Sequence, residues 1–260
     1  MPRYFMLIFL LMIGMVGSAV SAEESAQNII HRILQHRLSQ GFEVRMNIEV
    51  FDAENQRQQP LKVALIGRYV EQQQQLLIRG ITPAKYTHQI YAAEVGKNQP
   101  PRMFRRYGVE NHSVEPFNIE SPLFDSGLIA YDMLMPWWYW HDQQLIGNQM
   151  VNGHDCIVIQ SVEQPLLIGQ EIHRVISYID RKELFPWRIE IFNNEQQRLR
   201  TLEVQQVMRL ESGALTAKAL TVEQFNHQVS KIFIYSGDEH YLIQPESFSI
   251  LESTPQEVQP

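Results

Sequence analysis

Alternation of apolar and polar residues is the feature of this chain that most restricts its fold. Within residues 42–50, every second position is apolar: Phe42, Val44, Met46, Ile48 and Val50. The residues between them are charged or polar, so an extended segment would have one apolar side and one polar side. A period of two over this length predicts a half-buried β-strand.

Similar strand-like runs recur at short spacing through the rest of the chain. They lie at residues 61–70, 75–81, 102–108, 144–149, 154–162, 172–180, 186–192, 198–210, 214–225 and 230–236. The dipeptide Asn152–Gly153, between two of these runs, is favoured in tight hairpin turns. Short joins without intervening helical patterns predict one antiparallel sheet of about nine strands in meander order.

Two segments have helical patterns instead. Residues 25–38 place their apolar side chains on one helical face, with the first serine as the expected N-cap and Gly41 as the expected stop. Residues 123–134 predict one or two helical turns that begin at Asp125 or Ser126. Because so large a sheet must curl or be covered, we predict a mainly β (α+β) fold. It is a single curved antiparallel sheet forming an incomplete β-barrel, with the N-terminal helix and the inserted helical segment covering its concave face.

The N-terminal segment predicts export from the cytoplasm. Residues 1–22 contain one basic residue, an apolar run and a small-residue end, as in a cleaved secretory signal peptide. A membrane anchor is the alternative, but the apolar run is shorter than the roughly 20 residues that a spanning helix needs. We therefore expect residues 23–260 to form a single periplasmic domain that does not span the membrane when mature.

Composition argues against several other classes of protein. The 22 basic and 29 acidic residues give a net charge of −7 without a basic block, so nucleic acid is not an expected partner. The one cysteine, Cys156, lies in an apolar strand-like run, where a small buried residue is more common than a reactive thiol. A chain of this length can form a substantial core without disulfides.

The usual sequence signatures of catalysis and metal binding do not occur in the chain. The adjacent pairs His141–Asp142 and His154–Asp155 flank predicted turns, so we interpret them as solvated turn residues rather than metal ligands. Three acidic residues near the aromatic cluster are interpreted as helix caps or turn residues: Glu120, Asp125 and Asp132. The sequence predicts a protein that is not an enzyme and uses neither a metal nor a cofactor.

Residues 137–140 are consecutive aromatic residues that contain three of the four tryptophans of the chain. In an extended segment, Trp137 and Tyr139 would lie on one face and Trp138 and Trp140 on the other. Three interpretations remain open for this cluster. It fills the core, lines a cavity for an apolar ligand, or contacts a partner.

The order of elements and five segments of the chain resemble the outer-membrane lipoprotein-sorting protein family of the LolA-like superfamily. The resemblance covers most of residues 24–253 and rests on LLIRGITPA, PPRMFRRYG, SPLFDSGLIAYDML, LIGNQMVNGHDCIVIQSV and VISYIDRKELFPWRIEIFNNEQQRLRTLEV. The acidic and aromatic residues of the third segment are spaced differently from those of the family, and the tryptophan-rich run is not part of the resemblance. The resemblance implies a curved half-barrel whose concave face shields acyl chains.

The implied function is that of a periplasmic carrier or chaperone for a lipid or the acyl chains of a lipoprotein. It would shield this cargo in an apolar cavity, because burial stabilises each CH₂ group by roughly 0.8 kcal/mol. It would then hand the cargo to a membrane transporter or an outer-membrane receptor. The candidate wall of the cavity comprises Phe42, Met46, Val63, Leu65, Leu77, Tyr131, Trp137 and Trp138. The alternatives are an envelope sensor or regulator, and a non-catalytic accessory subunit of an envelope export or assembly complex.

Overall fold

The structure of the chain is a computed structural model, which describes residues 24–35, 41–70, 73–97, 99–108, 114–163 and 171–252. The expected signal peptide, residues 1–22, lies outside the described residues. In the described part, every helix is too short or too polar to cross a membrane.

The described residues form thirteen β-strands, two α-helices and three 3-10 turns. The helices are α1 (Ala26–Gln35) and α2 (Ala130–Leu134), and the 3-10 turns span Ala84–Tyr86, Pro136–Tyr139 and Pro245–Leu251. The strands are β1 (Phe42–Phe51), β2 (Leu61–Val70), β3 (Gln73–Thr82), β4 (Gln89–Gly96), β5 (Gln99–Tyr107), β6 (Val114–Pro116), β7 (Asp142–Val151), β8 (His154–Val162), β9 (Arg174–Asp180), β10 (Pro186–Phe192), β11 (Arg198–Arg209), β12 (Leu215–Gln224) and β13 (Val229–Asp238).

All these strands belong to one antiparallel sheet, in the order β6-β5-β4-β3-β2-β1-β13-β12-β11-β10-β9-β8-β7. The chain runs outward from β1 to β6, crosses to the far edge at β7 and returns to β13, which pairs with β1. Within the described ranges no ladder joins β6 to β7. The predicted fold class, an incomplete barrel, is therefore confirmed.

The expected number of about nine strands was too low, and the strand-like runs of the sequence missed two strands altogether, β4 and β6. Strand β4 buries side chains on both faces, including Tyr91, Ala92, Ala93 and Val95, so its sequence does not alternate. Strand β6 has three residues and ends in Pro116, which is too short to leave a periodic pattern. Periodicity detects half-buried strands and overlooks strands of these two kinds.

The inner face of the sheet carries the main hydrophobic core. Inward side chains of β1 to β3 follow the spacing of two residues: Met46, Ile48, Val50, Leu61, Val63, Leu65, Leu76 and Ile78. The segment between β6 and β7, residues 117–141, crosses this face on its way to the far edge, and we call it the insertion. Its apolar side chains and those of α1 complete the core: Ile29, Ile30, Ile33, Ile119, Leu123, Leu128, Ile129, Leu134 and Trp137.

Helix α1 forms where the apolar spacing predicted a helix. The Ser25 hydroxyl accepts a hydrogen bond from the Asn28 N–H at 3.2 Å and so caps the first turn, as expected. The last described residue of the helix is Gln35, and residues 36–40 lie outside the described part. The expected end before Gly41 therefore stays a prediction.

The helical part of the insertion begins later than predicted. Phe124 and Asp125 have φ angles of 55° and 53°, which a helix does not allow. Ser126 closes a turn by donating its hydroxyl to the Leu123 carbonyl at 2.7 Å, rather than capping a helix. Helix α2 starts only at Ala130.

Trp137 and Trp138 lie in a 3-10 turn, so the extended arrangement considered for residues 137–140 was wrong. Met135 has a left-handed φ of 51° that ends α2, and Pro136 then begins the turn. The insertion lies across the sheet instead of joining it. Its backbone groups form hydrogen bonds within local turns, such as the bond that the Trp138 N–H donates to the Met135 carbonyl at 3.2 Å.

The opposite face of the sheet carries two smaller clusters. In one of them, the turn Pro245–Leu251 packs Phe248 against Leu77 and Phe104. The other contains Cys156, which is buried as predicted.

Candidate functional site

The inner core brings together most of the residues predicted for a cavity wall. Six of them are buried there: Met46, Val63, Leu65, Tyr131, Trp137 and Trp138. Phe42 is partly buried against the same core. Leu77 lies on the opposite face, since its neighbours Leu76 and Ile78 point inward and successive side chains of a strand alternate. Contact of any of these residues with a ligand stays a prediction.

The aromatic run packs into the inner core. Trp137 and Tyr131 are fully buried, with ring centroids 6.0 Å apart. Gln143, near the start of β7, donates its side-chain amide to the carbonyls of Trp137 and Trp138 at 3.2 and 3.3 Å. These bonds fix the aromatic turn against the edge of the sheet, where it fills the interior.

Polar contacts tie the insertion to the second half of the sheet. Asp132 of α2 and Arg200 of β11 form a buried ion pair with an N–O distance of 2.8 Å, so the interpretation of Asp132 as a cap or turn residue was wrong. Arg200 also donates to the Gly127 carbonyl at 3.1 Å, and the Gly127 N–H donates to the Ser230 hydroxyl at 2.9 Å. A Cβ atom at position 127 would lie 2.8 Å from that hydroxyl oxygen, so this close contact requires glycine.

Two further carboxyl groups lie near this ion pair. Burial, with the nearby Glu120 carboxyl, raises the pKa of Glu163 to about 7. Burial also raises the pKa of Glu120, and it raises the pKa of Asp132 to about 6 against the opposing effect of Arg200. The Tyr131 hydroxyl and Asp132 Oδ1 lack a hydrogen-bond partner among the described residues. The inner core is therefore polar beneath α2, and its charge depends on pH.

Among the described residues, neither histidine–aspartate pair belongs to a group of three or more potential metal ligands. His154 is more enclosed than a solvated turn residue, because its ring stacks on Trp187 with centroids 3.9 Å apart. Its Nδ1 lies 3.0 Å from Asp180, whose carboxylate also accepts backbone N–H groups of the next turn. One group of ligand-type atoms within 4.8 Å of one another occurs in the described part, at the surface: Glu211, Glu239 and His240.

A pocket of about 300 Å³ opens on the inner face, where β4 begins and β5 ends beside the insertion. Its aromatic lining consists of Tyr86, Tyr91, Tyr107, Phe117 and Phe124. The Phe124 ring meets the rings of Tyr86 and Tyr91 edge-on, with centroids 5.4 and 5.3 Å apart. Phe117 also meets Tyr91 edge-on, at 5.1 Å. Such pairs contribute about 0.5–1.5 kcal/mol beyond burial, so the aromatic wall is preformed.

The lining also contains two cationic side chains and one carboxylate, together with Gln89 and Pro122. Lys85 Nζ lies 3.1 Å from Asp125 Oδ2, which also accepts the Tyr86 hydroxyl. These hydrogen bonds, first that from Tyr86 and then that from Lys85, lower the pKa of Asp125. Arg105 Nε donates to Glu115 at 2.8 Å, and its guanidinium lies 4.4 Å from the Tyr107 ring centre.

The backbone at this pocket is strained. Phe124 and Asp125 are consecutive non-glycine residues in the left-handed region, which costs roughly 1–2 kcal/mol per residue. This conformation turns the Phe124 ring toward Tyr86 and Tyr91 and the Asp125 carboxylate toward Lys85. Strain at adjacent residues that line a pocket is typical of functional sites.

Sequence reasoning missed this pocket. Its residues come from four separate segments, and only Asp125 had been considered, as a cap or turn residue. One signal was present in the alternation of β5. Met103 and Tyr107 share a face with Arg105, so the strand places a cation on an otherwise apolar side.

A family model described as "Uncharacterized protein" matches residues 120–249, which is half of the 260-residue chain. The matched part contains most of the insertion and all strands from β7 to β13. The comparison with curated proteins found no match.

Several solved structures share the architecture at low sequence identity. A DUF1329 family protein from Desulfovibrio piger is 14% identical, with a TM-score of 0.76 over 86% of this chain and 95% of its own. An outer membrane lipoprotein-sorting protein domain from Vibrio parahaemolyticus is 12% identical, with a TM-score of 0.74 over 84% and 94%. A LolA superfamily protein from Nitrosomonas europaea is 13% identical, with a TM-score of 0.66 over 84% and 95%. At these identities the likeness shows a shared fold.

Proposed function

Since the chain belongs to the family whose model matches residues 120–249, and its fold is LolA-like, we propose that it is a periplasmic carrier or chaperone. It shields a lipid or the acyl chains of a lipoprotein on its inner face and hands this cargo to an envelope partner. The partner is a membrane transporter or an outer-membrane receptor. The expected signal peptide, residues 1–22, and the single mature domain, residues 23–260, are parts of this proposal.

One observation carries the proposal: the apolar inner face of the sheet is covered by small, separable elements rather than by a second sheet. The cover consists of α1 and the insertion, whose regular parts are α2 and one 3-10 turn. A chain segment of this kind can be displaced without breaking any strand pair. The wall beneath it then offers Met46, Val63 and Leu65 to an acyl chain.

The binding energy would come from burial alone. Each CH₂ group removed from water contributes roughly 0.8 kcal/mol, so a long acyl chain binds without a specific polar contact. Release then requires a partner that offers an equally apolar site. No reaction step is part of the proposal, so the protein acts as a non-catalytic carrier without a metal or a cofactor.

A second candidate function is supported by the packing of the aromatic run. Trp137 and Tyr131 are fully buried and occupy the interior that a cargo would need. A protein with a filled interior would act as an envelope sensor, a regulator or an accessory subunit of an export or assembly complex. Its partner would then bind the outer surface.

The test is native mass spectrometry of the mature protein purified from periplasm without detergent, with lipid extraction of the same sample. Leu65 and Leu77 are matched probes, because they are 8% and 7% exposed and lie on opposite faces of the sheet. We expect an added mass that extracts as lipid, and we expect Leu65→Gln to lower its occupancy while Leu77→Gln leaves it unchanged.

A clean mass of the protein alone, together with failure to take up an added fatty acid or lipopeptide, would overturn the carrier function. Equal occupancy in both variants would place the cargo away from the inner face. Either result would favour the second candidate.

A further inference from the structure

We propose that the aromatic pocket beside the insertion binds the anionic end of a single-chain amphiphile. Its carboxylate or phosphate lies between Lys85 and Arg105, and the first part of its chain packs on Phe117 and Phe124. This inference rests on the proposed carrier function and names a site and a ligand chemistry for it.

The size of the pocket decides which part of a lipid it can hold. A volume of about 300 Å³ is at the lower end of the range for ligand sites. It accommodates a head group and a short length of chain, but not the several chains of a lipidated protein. The remaining chain would extend along the inner face, toward the core beneath the insertion.

Both cations are held in position by aromatic rings. The Arg105 guanidinium lies 4.4 Å from the Tyr107 ring centre and 4.7 Å from that of Phe117, and Lys85 Nζ lies 4.5 Å from that of Tyr86. Three of the five aromatic rings of the lining therefore already have a protein cation over them, which leaves less ring surface for a cationic head group. Lys85 and Arg105 are the two groups of the lining that attract an anion.

The present partners of these cations are easily replaced. The Asp125 and Glu115 carboxylates have 80% and 49% of their side-chain surface exposed. Ion pairs in such positions contribute little to stability, because water competes for both groups. A carboxylate or phosphate that also buries an acyl chain can displace Asp125 from Lys85 and share Arg105 with Glu115.

The strained turn at Phe124 and Asp125 fits this role. It holds the aromatic ring as part of the wall and holds the carboxylate at the mouth, directly on Lys85. Asp125 then acts as an internal substitute for the ligand's anionic group. Its removal should therefore strengthen anion binding, whereas damage to a merely structural contact would weaken it.

The test is isothermal titration calorimetry of the lipid-free mature protein with five probes of three kinds. Decanoate and decyl phosphate carry both the anion and the chain, decanol carries the chain alone, and acetate and inorganic phosphate carry the anion alone. We expect one site for decanoate, decyl phosphate or both, and binding at least about tenfold weaker for the other three probes. The stronger of the first two distinguishes a carboxylate ligand from a phosphate ligand.

Three variants locate the site on the protein. Arg105→Gln removes a charge-assisted hydrogen bond and should weaken decanoate binding about tenfold. Arg106→Gln is the matched control, because the next residue of β5 faces the opposite side, beside Phe104. Asp125→Asn should strengthen binding about threefold, since asparagine tolerates the left-handed backbone and no longer competes for Lys85. Thermal unfolding of each variant confirms that it is folded.

Equal affinities for Arg105→Gln and Arg106→Gln, or tight binding of decanol, would overturn the inference. If lipid still co-purifies with the protein in that case, the carrier function stands and only this site is wrong. If no lipid co-purifies but decanoate binding depends on Arg105, the site stands and the carrier function fails.

Discussion

The carboxylate of Asp132 and the guanidinium of Arg200 lie 2.8 Å apart in the interior, although 68 positions separate them in the chain. One residue belongs to the insertion and the other to β11, so the pair joins the cover of the inner face to the sheet. Both side chains are buried, which makes the contact sensitive to the loss of either partner.

Arg200→Met should destabilise the protein by about 3–5 kcal/mol, because it leaves the Asp132 carboxyl buried without its partner. Urea unfolding followed by circular dichroism measures the loss. Arg198→Met is the control on the same strand, since its side chain is 54% exposed, and it should change stability by less than about 1 kcal/mol. Adding Asp132→Leu to Arg200→Met should recover part of the loss, and a double variant no more stable than the single one would contradict this account.

Trp137→Ala should lower the free energy of unfolding by about 3–5 kcal/mol, because it leaves a large cavity in the inner core. Trp140→Ala, three positions along the same aromatic run, removes a ring that is only partly buried. It should lower the free energy of unfolding by about half as much. The same urea titration compares the two variants. Similar losses would mean that the aromatic run does not pack as described.

Stability should fall as pH rises through the range in which Glu163 titrates. Burial raises the pKa of Glu163 from 4.5 to about 7, with a further contribution from Glu120. Between these two values the folded protein keeps a proton that the unfolded chain has released, so rising pH favours unfolding. We expect Glu163 to contribute a loss of about 2–3 kcal/mol between pH 5 and pH 8, measured by urea unfolding at a series of pH values.

Glu163→Gln should reduce this pH dependence, because the amide does not titrate, while Glu120 and Asp132 keep their share of it. Glu195→Gln provides the control, since Glu195 is exposed in the turn before β11. A profile of equal slope in all three proteins would assign the effect to other groups.

The Cys156 thiol should be unreactive in the folded protein. It is buried, and burial raises its pKa to about 11, so little thiolate forms at neutral pH. Labelling with Ellman's reagent at about pH 8 should be slow in buffer and fast in denaturing urea. Rapid labelling without urea would show that the cluster of Val151, Cys156, Val158, Tyr178 and Trp187 opens readily.

The sheet was predictable from the sequence because most of its strands are half-buried. In β1, the apolar positions from Phe42 to Val50 face inward and the polar positions face outward, so the period of two survives in the sequence. The insertion was harder to predict. Its backbone follows the Met135 and Phe124 turns, whose left-handed angles depend on tertiary contacts rather than on residue type.

The pocket and the buried ion pair were not predictable for a related reason. Arg105 looks like an ordinary strand residue until β4, β5 and the insertion are placed together, because its environment is built from distant segments. Asp132 likewise has the sequence pattern of a helix cap or turn residue. Only the return of β11 beneath α2 brings Arg200 to it.

The central position of the β1–β13 pair affects how this chain can acquire its structure. Glu43 is aligned with Asp238, so the first and last strands close the middle of the sheet, not its rim. Until β13 pairs with β1, the chain can form only two separate half-sheets. Each half-sheet then has an unpaired edge at the position of the β1–β13 ladder. Closing so long a loop makes folding slow, and the unpaired edges invite association with other chains meanwhile. The last strand of the described residues is therefore the one that joins the two halves of the sheet.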